Sequence, residues 1–326
     1  MRHLVFIGTL LWALPSWGQI QAVTQKEEVK QSEKTVLGWH KKLILGGSLS
    51  FGSSENVIGQ PNGQSNTYGL NIEGQLNQIK EQSEWRNDLK IGESASRTPA
   101  VPRYVKVKDE LKIESMYLHT LANTPWFGPY VKASAETAIF KGEDVRSEAK
   151  TYQFADGSTL TGTSVRLTDG LKPLTTKESA GGFFKIITKD TMKLEARAGL
   201  GAVQVNAKNQ RAVKDDASTA NIEVVDLDSY EQVGFEGGFL FKGNWDAKSS
   251  YSLEGEFLTP FVANQKAGDD RSKLELTNWD VKARITSKIY EWMSVDYTAR
   301  IFKQPQLLDK TQMQTLLLVS VTYQLL

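Results

Sequence analysis

Charged side chains recur at every second position in several segments of the sequence, a spacing that places them on one face of a β-strand. In the segment around residue 110, Lys108, Glu110, Lys112 and Glu114 share such a face and carry charges of both signs. Opposite charges on one face of a sheet can pair with charges on the neighbouring strands. A face of this kind can brace a polar interior or contact a polar solute.

The residue types give little support to catalytic chemistry. The chain of 326 residues has no cysteine, which excludes thiol nucleophiles and thiolate metal sites, and beyond residue 18 its only histidines are His40 and His119. In the fold that the strand pattern below predicts, both histidines lie at the same end. An enzyme that cleaves lipid of the outer membrane leaflet would need its histidine at the opposite end. Acidic pairs such as Asp269-Asp270 lack the set of ordered oxygen ligands that calcium needs. We therefore expect no catalytic residue, no metal site and no cofactor.

The segments that carry these charges alternate between apolar and polar residues. From Met293 to Ile301 every odd position is apolar and every even position is polar, and similar alternation runs from Trp279 to Ile285. A helix would instead repeat its apolar residues at steps of three and four. The whole chain analysed in this way predicts about twelve strands, most of them about 10 to 15 residues long.

Strand length and connections favour a membrane barrel over a soluble sandwich. Strands of soluble proteins average about 5–6 residues, whereas a tilted strand needs about 9–11 residues to cross a bilayer. The predicted connections alternate between short turns and long polar loops, the last long loop being Gln304–Lys310. The longest, Gly142–Thr176, contains Asp-Gly turns that indicate a small hairpin. Four tryptophans beside the short turns are predicted to form a periplasmic aromatic girdle, namely Trp85, Trp126, Trp245 and Trp292.

These features predict an all-β fold, a transmembrane antiparallel up-and-down β-barrel of about twelve strands with short periplasmic turns and long extracellular loops. An even number of strands places both termini in the periplasm. Closure pairs the first strand with the last, because hydrocarbon offers no water to satisfy a bare strand edge. The candidate lumen-facing residues are then Lys108, Glu110, Lys112, Glu114, Lys132, Glu136, Glu195, Arg197, Glu254, Glu256, Asp280, Lys282, Arg284, Asp296 and Arg300.

Two interpretations of such an interior stay open. Charges of both signs can cross-brace a partly filled barrel, or they can line a narrow water-filled pore for small polar solutes. Strand number does not separate the two, since side chains fill a barrel of about eight strands and about sixteen strands leave a channel.

The beginning of the chain has a different character. Residues 1–18 show the basic start, short apolar run and small-residue exit of a secretory signal peptide, with cleavage predicted before Gln19. The apolar run is too short to cross a bilayer as a helix. Residues 19–40 are polar and lack alternation, which predicts a periplasmic lead-in, and residues 41–326 are assigned to the barrel.

A further pattern lies between residues 43 and 140. It reads W-x-N-x-L at residues 85–89 and K-x-x-D-x-L-x-I-x-S at residues 106–115. This pattern resembles a family of uncharacterised Gram-negative outer-membrane β-barrel proteins, and Gly47–Gly52 is similar to the first strand of salt-induced outer-membrane barrel proteins. The resemblance implies the same fold and compartment, the outer membrane of a Gram-negative bacterium. It transfers no catalytic or ligand-binding residue.

The main functional hypothesis is an integral outer-membrane barrel without catalytic activity, acting as a passive small-polar-solute pore or as a structural envelope protein. The alternatives are an outer-membrane lipid- or peptide-cleaving enzyme and a surface recognition or adhesion barrel that acts through its long loops. Predicted partners are membrane lipid, the barrel-assembly machinery during insertion, and small polar solutes. A formal net charge of +1 argues against nucleic acid as a partner.

Overall fold

The computed structural model describes residues 37–54, 63–101, 103–214, 218–265, 269–290 and 292–324. The predicted signal peptide and most of the predicted lead-in lie outside these residues. Within the described ranges, no helix is long and apolar enough to cross a membrane.

The alternating segments form strands, as expected from their side-chain period of two. In chain order the strands are β1 (Gly38–Ser54), β2 (Gly63–Ile79), β3 (Ser83–Arg97), β4 (Val105–His119), β5 (Phe127–Thr137), β6 (Gly142–Phe154), β7 (Thr159–Thr168), β8 (Leu174–Lys189), β9 (Met192–Asn206), β10 (Arg211–Val213), β11 (Ile222–Asp226), β12 (Tyr230–Asn244), β13 (Ser249–Ala263), β14 (Asn278–Tyr290), β15 (Met293–Gln304) and β16 (Leu308–Gln324).

Twelve of these strands close into one antiparallel barrel in the order β1-β2-β3-β4-β5-β8-β9-β12-β13-β14-β15-β16. The first and last strands complete the ring, with Ile44 opposite Gln324 and Gly47 opposite Val321. The predicted all-β fold and the count of twelve antiparallel strands are confirmed. The barrel strands are 11 to 17 residues long, as a tilted membrane strand requires.

The first strand begins earlier than predicted. The predicted lead-in ends at residue 40, but β1 starts at Gly38, and His40 lies opposite Asn77 of β2. His40 is therefore part of the barrel wall rather than of the segment that precedes it.

The connections alternate less regularly than predicted. The ends of the barrel differ, because residues 80–82 and 190–191 are tight turns whereas residues 138–173 and 207–229 contain whole strands. We call the two ends the turn end and the loop end. The connection of residues 305–307, at the loop end, is short and corrects the predicted long loop at Gln304–Lys310.

The two longest connections fold together into a second sheet outside the barrel, in the order β10-β11-β6-β7. The hairpin predicted within Gly142–Thr176 is confirmed by the antiparallel pairing of β6 with β7. The sheet is completed by β11, which runs parallel to β6 and places Ile222 opposite Tyr152. Tyr152, Val165, Ile222 and Val224 form a buried core. Burial and a hydrogen bond to Asp144 raise the pKa of Tyr152 to about 12.

The barrel has an apolar outer face. Every second residue of a strand points outward, and these positions expose large apolar side chains such as Ile113, Val131, Leu200 and Phe235, each of which is more than half exposed. The intervening positions bury charge, as at Lys132, which is 6% exposed. This distribution is the reverse of that in a water-soluble protein.

Candidate functional site

A group of charged side chains crosses the middle of the barrel. Lys132 Nζ lies 2.6 Å from Glu256 Oε1 and 3.2 Å from Glu114 Oε2. Arg197 Nη2 lies 2.5 Å from the same oxygen of Glu256, and Lys177 Nζ lies 3.5 Å from its other oxygen. Because β5, which carries Lys132, is four places from β13 in the ring, these side chains must span the interior.

A second carboxylate extends this group. Arg197 Nε lies 3.0 Å from Glu236 Oε1, and the Tyr130 hydroxyl donates a 2.5 Å hydrogen bond to Glu236 Oε2. We call the whole set the central ion-pair layer, and it consists of Glu114, Tyr130, Lys132, Lys177, Arg197, Glu236 and Glu256. Six strands contribute to it, from β4 to β13. Each buried charge has an opposite charge in contact, as burial of an ion requires.

A glycine makes room for the arginine of this layer. Gly238 lies directly opposite Arg197 in the β9–β12 pair. A Cβ at residue 238 would lie 2.7 Å from Arg197 Cζ, so a side chain there would displace the guanidinium. The close approach, rather than an unusual backbone angle, is the reason for glycine at this position.

Opposite walls of the barrel are also linked. Arg300 of β15 binds Asp280 on the adjacent strand, with Nη2 2.5 Å from Oδ2, and its Nη1 lies 3.5 Å from Glu136 Oε1 of β5. Strands β15 and β5 are six places apart in a ring of twelve, so this contact follows a diameter. The Arg300 guanidinium also lies 4.6 Å from the centre of the Phe302 ring.

On the turn-end side of the central layer the interior opens into a cavity of about 520 Å³. We call it the turn-end chamber; its walls come from β1, β2, β3, β4, β8, β9, β12 and β13. Arg86 of β3 crosses it to Glu195 of β9 at 2.9 Å and also contacts Glu84 at 2.8 Å. Eight basic and five acidic residues line the chamber, so its charge is positive.

On the loop-end side the interior is much narrower. A cavity of about 50 Å³ lies there, between residues that include Lys177, Glu256, Asp280 and Phe302. Above it, Gln232 is fully buried and donates a 2.7 Å hydrogen bond to Gln306, and Asn278 donates a 2.6 Å hydrogen bond to Gln232. A small cavity and hydrogen bonds between buried side chains therefore distinguish this side of the layer from the turn-end chamber.

The structure places the remaining candidate lumen-facing residues in smaller groups. Lys108 lies 3.2 Å from Glu110, and Lys112 lies 3.3 Å from Glu114, both along β4. Across neighbouring strands, Glu254 is opposite Lys282. Arg284 is opposite Thr298 on β15. Asp296 is fully buried and accepts a hydrogen bond from the Ser294 hydroxyl.

Several residues of this interior were missing from the predicted set. Arg86, Lys177, Glu236 and Tyr130 all make contacts across the barrel. A signal for two of them is present in the sequence, since Arg86 follows the outward-facing Trp85 and Glu236 follows the outward-facing Phe235. Strict alternation around each exposed aromatic residue would have included both.

The four candidate girdle tryptophans lie at the turn end, each beside another aromatic ring. The exposed fraction of their side chains runs from 41% for Trp85 to 61% for Trp245. Ring centroids are 6.1 Å apart for Trp85 and Trp39, 6.5 Å for Trp126 and Phe184, 5.1 Å for Trp245 and Tyr251, and 5.6 Å for Trp292 and Tyr290. Their position at a membrane boundary stays a prediction.

The two histidines are also at the turn end. His40 lines the turn-end chamber, and His119 is the last residue of β4. Among the described residues, no group of three or more His, Cys, Asp or Glu side chains is arranged to hold a metal ion. The absence of enzymatic activity stays a prediction.

Comparisons with known proteins give similarities of shape alone. No protein-family model matches the chain, and no curated protein matches it. Among solved structures, an outer-membrane channel from Pseudomonas putida F1 is 8% identical with a TM-score of 0.41, covering 92% of this chain and 100% of that one. The translocator domain of the autotransporter NalP from Neisseria meningitidis is also 8% identical, with a TM-score of 0.37, and covers 89% of this chain and 90% of that one.

The outer-membrane channel DcaP of Acinetobacter baumannii is 7% identical with a TM-score of 0.32, covering 88% of this chain and 97% of that one. Identities and TM-scores this low carry no weight in assigning a function, which rests on this chain's own residues.

Proposed function

We propose that this protein is an integral outer-membrane β-barrel that acts as a passive conduit for small polar solutes. The observation that carries the proposal is the reversed distribution of side chains, with a closed ring of strands that exposes apolar residues and encloses charge. In water such a surface would aggregate, whereas in lipid it is the surface that minimises the free energy. The apolar side chains that support this placement include Ile113, Val131, Leu200, Phe235 and Phe257.

The proposal includes an orientation. Aromatic side chains prefer the membrane–water boundary, so the turn-end tryptophans are expected to form the periplasmic girdle. Gly38 and Gln324, the first residue of β1 and the last of β16, both lie at this end. The second sheet, formed by β6, β7, β10 and β11, would then face the outside of the cell.

The conduit itself is supported by the turn-end chamber and limited by the central ion-pair layer. A polar cavity of about 520 Å³ has room for hydrated small solutes, and the contacts of Glu256 and Arg300 narrow the path beyond it. A structural barrel with no passage is the competing outcome. The described residues lend no specific support to the enzyme or adhesion alternatives.

Membrane placement is tested with a pair of matched substitutions. Leu200→Lys puts a charge on the apolar outer face of β9, at a cost of about 2–4 kcal/mol if the site lies near the middle of a bilayer. Leu160→Lys makes the same change at a similarly exposed site on β7, outside the barrel. Urea titration in detergent micelles should show a lower free energy of unfolding for Leu200→Lys only. Equal tolerance of both would contradict the membrane assignment.

The conduit is tested by single-channel recording of the purified protein in planar bilayers. We expect small, steady conductance steps in potassium chloride. A folded, inserted barrel that passes no current would assign the protein to the structural class instead.

A further inference from the structure

Toward the loop end, part of the interior changes from charged to apolar. On β9, Val203 lies directly opposite Lys177 of the central ion-pair layer, so the two side chains share the inner face of the wall. Val203 belongs to a cluster of apolar side chains, none of which is more than 5% exposed. We call it the loop-end apolar cluster, and it consists of Val203, Val205, Ala207, Tyr230 and Leu258.

This cluster lies next to the central ion-pair layer on the way to the loop end. The cavity of about 50 Å³ is lined by Val203 and Leu258 of the cluster and by Lys132 and Glu256 of the layer, so it lies between the two. A solute that passes the layer from the turn-end chamber therefore meets apolar side chains next. A narrow apolar constriction excludes water and ions, because its wall offers them no hydrogen bonds.

The turn between β15 and β16 covers the cluster from the loop end. Leu307 of this turn packs against the cluster, although β15 is four places from β9 in the ring. The turn of residues 305–307 therefore reaches inward over the mouth of the barrel. The β15–β16 pairing shifts register between Phe302 and Gln304, directly before the turn, and an irregularity of this kind bends a strand.

Side-chain hydrogen bonds hold the turn in this inward position. The Gln306 carboxamide accepts a 2.7 Å hydrogen bond from Gln232 and donates a 3.0 Å hydrogen bond to the Asn264 carbonyl. Arg271 donates a 2.9 Å hydrogen bond to the Pro305 carbonyl. These three contacts are separate from the backbone pairing of the barrel strands, so the turn can move outward while the ring stays closed.

We propose that the loop-end apolar cluster and the turn of residues 305–307 form a gate that closes the conduit to ions. The inference deepens the proposed function and rests on it for the passage of solutes. In the closed position, Leu307 completes the apolar constriction. The gate opens when the hydrogen bonds of Gln306 break and the turn moves away from the mouth. A closed gate of this kind also accounts for the small conductance expected of the native barrel.

The apolar barrier is tested by single-channel recording of Val203→Thr, which replaces a methyl group by a hydroxyl and nearly keeps the shape of the side chain. A hydroxyl in the constriction binds water, so the conductance in potassium chloride should exceed that of the native barrel. Val233→Thr is the matched control and should conduct as the native barrel does, because Val233 is 41% exposed on the outer face of β12. Equal, measurable conductance of all three proteins would exclude the cluster as the barrier.

Movement of the turn is tested without current, by labelling a thiol with a charged maleimide in detergent micelles. The native chain has no cysteine, so Val205→Cys places a single thiol in the cluster. In this background, Gln306→Ala removes both hydrogen bonds of its side chain and should raise the labelling rate about tenfold, because the turn opens more often. Gln82→Ala, an exposed site in a turn at the opposite end, is the matched control and should leave the rate unchanged.

The two experiments separate failure of the gate from failure of the conduit. A barrel that passes no current in any variant, but is labelled faster with Gln306→Ala, overturns the conduit and retains the turn as a movable cap. Equal labelling with Gln306→Ala and Gln82→Ala overturns the gate, whether or not the barrel conducts. Unheated gel mobility verifies that each variant is folded. If Gln306→Ala is not, Arg271→Gln provides a second variant, which removes the contact with the Pro305 carbonyl.

Discussion

Two arginine–glutamate pairs inside this barrel differ in their surroundings, one spanning the interior and the other joining the adjacent strands β9 and β12. Arg86 reaches Glu195 in the turn-end chamber, and the side chains are 20% and 22% exposed. Arg197 reaches Glu236 in the central ion-pair layer, where the corresponding values are 12% and 11%. Both pairs come from the same alternating pattern and the same residue types. The difference in exposure between the two pairs therefore comes from the residues around each pair and not from the residue types of the pair itself.

The difference lies in the number of partners and in the space allowed to them. In the central layer, Glu256 accepts from three cations on three strands, and Gly238 lets Arg197 lie against the wall. In the chamber, Arg86 contacts Glu84 and Glu195, and the rest of the lining includes six lysines. Long lysine side chains can extend along a wall toward water, whereas charges in contact hold the side chains of different strands together.

The largest effect is expected from Glu256→Ala. The substitution leaves Lys132, Lys177 and Arg197 close together without their shared carboxylate, and breaking a buried ion pair in this way costs about 3–5 kcal/mol. The free energy of unfolding from urea titration should fall by this amount, and the conductance should rise as the layer loosens.

Glu254→Ala is the control for this substitution. Glu254 is the preceding inward position of β13, lines the chamber, and has no ion pair closer than 4 Å in the described part of the chain. If the two variants were equally stable, the distinction between layer and chamber would be wrong.

A smaller loss is expected from Gly238→Ala. The new Cβ would meet the Arg197 guanidinium at 2.7 Å and force it away from Glu236 and Glu256, with an overpacking cost of about 1–3 kcal/mol. Gly47→Ala is the matched control, because a Cβ at that site on β1 meets no atom closer than 4.0 Å. Urea titration of both variants measures the difference, and a tolerant Gly238 would mean that the layer has spare room.

Arg86→Gln tests the other side of the comparison. The contacts of Arg86 with Glu84 and Glu195 are half-buried and face a solvated chamber. The substitution should therefore lower the free energy of unfolding by about 1 kcal/mol, which is less than the loss expected for Arg197→Gln. Urea titration of both variants gives the two losses in free energy of unfolding, and their ratio is the quantity to compare. A larger loss for Arg86→Gln would reverse the assignment of the packed and open regions.

The smallest effect concerns pH at the loop end. A hydrogen bond from the Arg271 side chain lowers the pKa of Asp269 from 3.8 to about 2, and Arg271 also donates to the Pro305 carbonyl. Because the folded pKa is depressed, the contact contributes fully above pH 3.8 and is lost as the pH falls through about 2. Pepsin cleavage near residue 270 should rise across this window. In Asp269→Asn the cleavage should already be high at the upper end of the window; a pH profile unchanged by this substitution would exclude the contact as its cause.

Much of the fold could be predicted because the alternation of apolar and polar residues along a strand shows which side chains share a face. Alternation around Met293–Ile301 depends on neighbouring residues only, and the strand count of twelve followed from such local patterns. The hairpin at residues 142–168 was predictable from its Asp156-Gly157 turn, where Gly157 has a φ of 82°. The pairing of β11 with β6 was not, since it joins two connections far apart in the chain.

The candidate site was predictable as a set of residues and not as an arrangement. Glu136 and Arg300 were both candidates for the interior, but nothing local indicates that they meet across a diameter. That contact depends on the tilt of the strands and on the stagger of the ring, which are set only when the barrel closes.

The sequence by itself determined that this chain forms long amphipathic strands, because a side chain's face on a strand is set by whether its position is odd or even. Only the tertiary structure decided which inward charges meet, where the interior packs and where it opens. Closure brings together residues more than a hundred positions apart, such as Lys132 and Glu256, and the electrostatic energy of a charge depends on what lies within a few ångströms of it.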